Sequence, residues 1–451
     1  MALGLVPSSH PTQNSRPRRF ASTRGGAWLD FAHMSALQSP ARGRAGGFAD
    51  WIGAAAQRRR LVTEAFVDTF AAWGYEYLAT PLVEPLETVA AGVGGGLQAQ
   101  LFRFMDADGS LLALVGERTV SVARVVSTQL QGVRPPLRLC YAGPVLFNRP
   151  PLGGRRREAM QAGCELIGHP GLSADAECIA VAAAALERAG VTGVQIDVGH
   201  ADFVPSLLDS ANLDAESRGR VADALRGRDL VAVEDALRGT DAGDAERELL
   251  LAFPTLRGGR EILDTAGARI SAPRPRRVLA DLAELWDVLD RHGITASVHL
   301  DLGAVRDWDY YTGPTFELFS ADLGFPLGAG GRYDRLLAAF GTDAPATGFV
   351  LHVDRCCDAL LRGSGQDGMV EALRLAFSAV RAGEAPALAA RLRQAGLAVA
   401  LALEPTARHH EEPVVEGMAR LDDDGAVAWR YRGEEGRGVE ALLSAHARDA
   451  L

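Results

Sequence analysis

The chain is 451 residues long, is 47% hydrophobic and carries a formal net charge of −10. That suffices for a large core, and no run of about 18 uninterrupted apolar residues offers a membrane-spanning helix. All 47 basic residues are arginine, which excludes chemistry that depends on a Schiff-base or phosphate-loop lysine, and the acidic balance provides no overall field to hold a polyanion.

Five cysteines without C-x-x-C spacing argue against a disulfide framework or a structural zinc site and for a reducing cytoplasm. Residues 1–48 are rich in Arg, Ser, Pro and Gly and lack periodicity, so a disordered extension is expected, with Met34 a candidate start. From Trp51 apolar residues recur at helical spacing as far as Gly74, and YEYLATPLVEP then reads as a strand bounded by Pro81 and Pro85. Alternation on both sides of Asp106–Gly109 predicts a hairpin. Next come a helix (RTVSVARVVSTQL), a strand (LRLCYAGPVLF), an arginine-rich loop, a strand (AMQAGCELIG), a helix (ADAECIAVAAAALERAG) and a strand (VTGVQIDVGH).

From Phe203 to about Asp290 the sequence is helical and polar, and reads as an insertion. Strand character returns in ASVHLDLGAVRDWDYYTGPTFELFS, GFPLGAGGRYDRL and TGFVLHVDR. A smaller α/β unit then begins near Val370. The expectation is an α+β chain with a mainly antiparallel sheet and flanking helices over 49–362, a helical insertion over about 203–290, and a C-terminal α/β domain over 366–451.

Read together, LVGERT, GPVLFNRPPLGGRRREAMQAGCE, ADAE, VRDWDYYTGPTFE, GAGGRYDRL and TGFVLHVDR resemble the class II histidyl-tRNA synthetase fold. In detail they resemble its non-synthetase relative, the regulatory subunit of ATP phosphoribosyltransferase. No single motif decides this; six in the right order do.

The resemblance implies a histidine pocket in which Glu117, Thr119 and Gln161 hold the amino end, and Glu165 and Tyr311 face the imidazole. Tyr333 closes it, Tyr310 lies alongside, and Arg306 stands near the carboxylate. Such residues suit the ligand, since an ammonium wants acceptors and an imidazole wants partners on both nitrogens.

The nucleotide side departs from the synthetase pattern. Ungapped alignment of GPVLF and QAGCE puts Phe147 where the second class II motif carries its phosphate-clamping arginine, and a benzyl group cannot neutralise a phosphate. In the third motif His352 fills a glycine position, Asp354 replaces a longer glutamate, and Arg355 remains. Val115-Gly116 stand where an Arg-Pro usually precedes the acid. LAARLRQAGLAVALALE resembles the opening of an anticodon-binding domain, but acids outnumber arginines in the residues beyond it, unlike an RNA-gripping surface. His409-His410 beside Glu411-Glu412 reads as a solvated loop rather than a metal site, and no metal or other cofactor is implied. Arg149, Arg155, Arg156 and Arg157 are left as an arginine-rich hairpin tip, either a solvated turn, an anion site, or a contact for a partner.

The resemblance therefore implies a catalytically silent regulatory subunit, joined to a short-form ATP phosphoribosyltransferase catalytic subunit in a hetero-oligomer and inhibited by histidine. That partner converts ATP and phosphoribosyl pyrophosphate to phosphoribosyl-ATP and pyrophosphate, the first step of histidine biosynthesis. Cores of this type pair as two-fold homodimers. The alternative is a divergent, working histidyl-tRNA synthetase in which Arg149 substitutes for the lost clamp.

Overall fold

A computed structural model describes residues 43–92, 98–150, 156–227, 229–252, 256–303, 310–321, 323–364, 372–403, 417–431 and 433–448. The expected extension and Met34, Arg155, Arg306 and the His409-His410 loop lie outside these residues, apart from 43–48.

The first helix, Ala54–Ala72, buries Val62, Phe66, Thr69 and Phe70 along one stripe, and the chain leaves it through Gly74 at φ 82°. Strands come in chain order: β1 Glu76–Tyr77, β2 Val83–Pro85, β3 Arg103–Met105, β4 Leu111–Leu114, β5 Leu137–Leu146, β6 Glu158–Ile167, β7 Val194–His200, β8 Arg257–Gly258, β9 Val298–Asp301, β10 Pro314–Ser320, β11 Gly328–Arg332 and β12 Ala346–His352. The expected hairpin is β3–β4, turning through Gly109 at φ 88° and pairing with β2 in a three-stranded sheet. YEYLATPLVEP is two short strands rather than one, β1 and β2, divided about Pro81, and they join different sheets.

The remaining strands form one nine-stranded sheet in the order β1-β5-β6-β12-β11-β10-β7-β9-β8. Only β1–β5 and β7–β9 pair in parallel; the other pairs are antiparallel. Cross-strand partners project to the same side, so the register sorts the residues between two faces. The row Cys140–Cys164–Phe349–Gly330–Phe316–Val198 points into the main core. The helices Ala54–Ala72 and Leu172–Arg188 cover that face. The neighbouring row, Leu139–Glu165–Gly348–Gly331–Thr315–Gly199, points the other way.

The stretch after Phe203 is helical, with helices at Phe203–Ser210, Ala215–Arg226, Leu230–Leu237, Asp244–Ala252, Glu261–Gly267 and Pro273–Arg291. It shares the main core and adds β8 to the edge of the large sheet. The last of these helices turns Val278, Leu282, Leu285 and Leu289 inward and packs on Leu172–Arg188.

Two ion pairs fix the N-terminal half of helix Leu172–Arg188. Asp175, in its first turn and 1% exposed, holds Arg332 of β11 at 2.5 Å. Glu177 takes Arg138 of β5 in a two-pronged contact at 2.7 and 2.8 Å and accepts Tyr75 Oη–H at 3.1 Å. The ADAE and GGRYD motifs are therefore two ends of one structural contact.

The C-terminal strands β13 Leu373–Phe377, β14 Val399–Leu401, β15 Met418–Leu421, β16 Val427–Tyr431 and β17 Glu434–Arg437 form a separate sheet, ordered β14-β13-β15-β16-β17. With helices Ala385–Gln394 and Val439–Arg448 it encloses a core of its own. The acids of LDDDG are engaged there: Asp422 accepts from Arg420 at 2.6 Å and Arg437 at 3.3 Å.

Candidate functional site

The sheet face turned away from the main core carries several small residues: Gly163, Gly348, Gly331 and Ala329 lie on β6, β12 and β11, with Val350 between Gly163 and Ala329. Missing side chains leave room above the sheet, and that room is filled in particular ways. A Cβ on Gly348 would fall 1.8 Å from Glu165 Oε2, and one on Gly331 would fall 3.0 Å from the Tyr311 ring. The carboxyl and the ring thus lie where a non-glycine strand would have its own side chains.

Glu165, on β6, is fully buried. Its Oε1 takes the Thr119 hydroxyl at 2.8 Å and the Tyr141 hydroxyl at 3.3 Å, while Tyr333 Oη–H bonds to Oε2. Burial is the main cause that pushes its carboxyl up to about 8; the Tyr333, Thr119 and Tyr141 hydroxyls oppose the shift and Glu117 adds to it.

Glu117 precedes the helix Thr119–Thr128. Its Oε1 accepts Thr119 N–H at 2.8 Å and its Oε2 accepts Val120 N–H at 3.4 Å, which satisfies the first orphan donors of that helix. Burial raises its carboxyl too, against those hydrogen bonds. Thr119 therefore touches both acids, one through its amide and the other through its hydroxyl. No ion pair joins a guanidinium of a described residue to either acid.

The tyrosines form the opposite wall. Tyr310 lies 4.8 Å from Tyr311 and meets Tyr333 edge-on at 5.9 Å, ring centre to ring centre. Burial raises the hydroxyls of Tyr310 and Tyr333 well above the usual tyrosine range, so both stay neutral donors and acceptors. Gln161 is buried on the same face as Glu165, four residues earlier on β6 and about 13 Å along the strand.

Of the residues expected to line the pocket, Glu117, Thr119, Glu165, Tyr310, Tyr311 and Tyr333 come together, Gln161 lies further along the groove, and Arg306 is outside the described residues. Two contributors were missed. Tyr141 faces the site because it pairs with Gly163, two positions from Glu165; a register drawn between LRLCYAGPV and AMQAGCELIG would have found it. Arg118, between the two expected residues Glu117 and Thr119, is buried over Gly143. It donates to Thr80 Oγ1 at 2.9 Å and to the Pro144 carbonyl at 2.8 Å.

At the far end of the groove Asp354 and Arg355 are both engaged. His352 pairs with Gln161 across β12 and β6, which stands its imidazole on the ligand face. Burial, with Arg355 and Arg149 nearby, drives it down to about 3 and keeps it neutral. Asp354 points elsewhere: its Oδ1 accepts Arg59 Nε at 2.8 Å and its Oδ2 accepts Met160 N–H at 3.1 Å. Arg355 donates to the Pro326 carbonyl at 2.6 Å and lies over Phe325.

The arginine-rich loop differs from a solvent-facing tip at the residues described. Arg149 lies 4.6 Å over the Phe147 ring and donates to the Arg156 carbonyl at 2.8 Å. Arg156 and Arg59 both lie over the Trp51 ring, at 4.6 and 4.9 Å from its centre. Arg157 lies over Phe102 at 4.6 Å and Phe48 at 5.6 Å and bonds Asn148 Oδ1 at 2.7 Å. The physical reason is that a guanidinium is weakly hydrated and planar, so aromatic faces nearby draw it in.

The acid end gathers two buried carboxyls and the hydroxyls of Thr119, Tyr141 and Tyr333, a set of hydrogen-bond acceptors and neutral hydroxyls. Opposite Phe147 the site offers a stacked arginine rather than a phosphate clamp.

A family model described as histidyl-tRNA synthetase matches residues 47–356. The chain is 38% identical over 315 residues to the ATP phosphoribosyltransferase regulatory subunit of Geobacter sulfurreducens, covering 70% of this chain and 72% of that one. It is 35% identical over 401 residues to the subunit of the same name from Desulforamulus reducens, covering 88% and 97%. A solved structure from Bacillus halodurans, described as an ATP phosphoribosyltransferase regulatory subunit/histidyl-tRNA synthetase, superposes with a TM-score of 0.73 at 32% identity, covering 80% of this chain and 92% of that one.

Proposed function

We propose that this chain, which belongs to the ATP phosphoribosyltransferase regulatory subunit family, senses histidine in the pocket around Glu165 and carries no synthetase chemistry itself. Its role is regulatory, in histidine biosynthesis, and its partner is the ATP phosphoribosyltransferase catalytic subunit. One observation carries the reading. The acid end keeps a hydrogen-bonded pocket built from Glu117, Thr119, Glu165 and Tyr333, while the nucleotide end has Phe147 under Arg149, His352 on the ligand face, and Asp354 turned to Arg59.

In this reading the histidine ammonium lies toward Glu117 and Gln161, and the imidazole lies against Glu165 and Tyr311. Binding regulates only if histidine has different affinities for the active and inactive assemblies, with a coupling of about 1–3 kcal/mol. The partner is of the short form, the chain pairs as a two-fold homodimer inside the hetero-oligomer, and the assembly works in the cytoplasm.

The test is a mixing experiment. The purified chain is added to a short-form catalytic subunit, and turnover is followed with and without histidine. Turnover is expected to rise on mixing and fall with histidine, and Glu165→Ala should keep the rise while blunting the fall. Absence of both a complex on size exclusion and a change in turnover would reject the assignment.

A further inference from the structure

The two buried acids of the pocket are held by different kinds of partner. Glu117 is held by the amides of Thr119 and Val120, which can only donate and which lie at a helix N-terminus, so these contacts favour its carboxylate against the burial that raises it. Glu165 is held by three hydroxyls, from Thr119, Tyr141 and Tyr333. A hydroxyl donates or accepts by rotating, so this shell fits a protonated carboxyl as well as an ionised one.

Among the described residues, the other charged or titratable groups around Glu165 supply no cation. Glu117 repels, Tyr141, Tyr310 and Tyr333 are neutral, and Cys164 and Cys178 lie nearby as raised, buried thiols. Gly348 of β12 contributes no side chain, Arg118 is directed to Thr80 and Pro144, and Arg332 is committed to Asp175. Two like charges bridged by one threonine in a buried site cannot both stay ionised without cost.

We infer that the empty pocket stores a proton on Glu165 and hands it to the incoming imidazole, so that ligand and pocket together hold one proton in the bound state. This rests on the histidine reading above. In the transfer the Glu165 O–H bond breaks, a ring nitrogen of neutral imidazole takes the proton, and a carboxylate is left facing an imidazolium. No other reactant is needed.

The sign of the pH dependence comes from the proton count. A free imidazole titrates at about 6.5, and Glu165 at about 8. Between these values free protein and free ligand already hold one proton between them, so affinity is flat. Below about 6.5 they hold two and binding releases one, so affinity falls on acidification. Above about 8 they hold none, and affinity falls again. A permanently ionised Glu165 would give the opposite acid limb, because it would prefer the imidazolium that acid supplies.

The experiment is calorimetry of histidine on the full chain from pH 5.5 to 9, in two buffers of different ionisation enthalpy, with Glu165→Gln alongside. From pH 7 to 5.5 affinity is expected to fall roughly eightfold with release of about one proton. The wild-type to Glu165→Gln affinity ratio is expected to be constant up to about pH 8 and to fall above it, a comparison in which the ligand's own ammonium cancels. Affinity that holds or rises between pH 7 and 5.5 overturns the stored proton while leaving the pocket standing. Absence of histidine binding at every pH removes the pocket reading itself. Because the acid limb is read on the wild-type chain, poor folding of the variant would not obscure the answer.

Discussion

Gly348 lies directly across from Glu165 in the β6–β12 ladder, and the Glu165 carboxyl occupies the space a side chain at position 348 would need. The added Cβ of Gly348→Ala would also fall 2.6 Å from the Cys164 carbonyl, so the strand cannot yield without losing register. The variant should lower histidine affinity at least tenfold and cost about 1–3 kcal/mol of stability from overpacking. Titration calorimetry and denaturant unfolding read the two effects separately, and unchanged affinity would mean that Glu165 is not where the ligand binds.

The raised carboxyl of Glu165 also has a consequence for stability. In the unfolded chain a glutamate titrates at about 4.3, whereas in the folded chain Glu165 holds its proton up to about 8. The folded state binds the extra proton between those values, so the contribution to stability is full below the unfolded value and is lost as pH rises toward the folded one. Glu165→Gln keeps the shape and cannot ionise. Relative to this variant the wild type should lose about 1.4 kcal/mol per pH unit between about pH 5 and 8. Parallel unfolding curves across this range would contradict a protonated Glu165.

Breaking the Arg332–Asp175 pair should act on the scaffold. Arg332 also donates to the His169 and Gly171 carbonyls, so it ties the start of helix Leu172–Arg188 to the end of β11. Asp175→Ala removes the buried counter-charge of Arg332, leaving it the two carbonyls and Asp334 at 3.3 Å, and should cost up to about 3–5 kcal/mol. Replacing both partners with Met and Leu should recover much of that loss, and a double-mutant cycle in urea measures it. A single variant as stable as the wild type would show that this contact is not what holds the helix.

The sheet was legible in the sequence because alternation survives in LRLCYAGPVLF and AMQAGCELIG, and the hairpin because Asp106–Gly109 interrupts a clear period of two. That Glu117, Thr119, Glu165, Tyr310, Tyr311 and Tyr333 come together was legible through motif order. Arg156 and Arg157 were not: their environment is made by Trp51, Phe48 and Phe102, about 50 to 110 residues away in sequence, and a local reading of Gly-Gly-Arg-Arg-Arg leaves a solvated turn, an anion site and a partner contact open. The partner of Asp354 was hidden for a similar reason. The acid's nucleotide-side position in the motif is plain, but its partner Arg59 lies on the first helix. The division of labour between Glu117 and Glu165 depends on whether each acid meets amides or hydroxyls, which only the folded helix start decides.

Catalytic silence can be tested from the other direction, by restoring what is missing. Phe147→Arg returns a guanidinium to the clamp position, but it would arrive beside Arg149, with Arg355 close enough to depress His352 together with it. Like charges there repel, and His352 still stands on the ligand face beside Gln161. The wild type, Phe147→Arg, and Phe147→Arg combined with His352→Gly should therefore all lack histidine-dependent ATP–pyrophosphate exchange, because losing one charged transition-state contact costs about 3 kcal/mol or more and Asp354 also remains diverted. The first substitution should also lower the melting temperature. Robust exchange by the wild-type chain alone would make it a working synthetase, and exchange gained only with the double substitution would locate its silence in those two side chains.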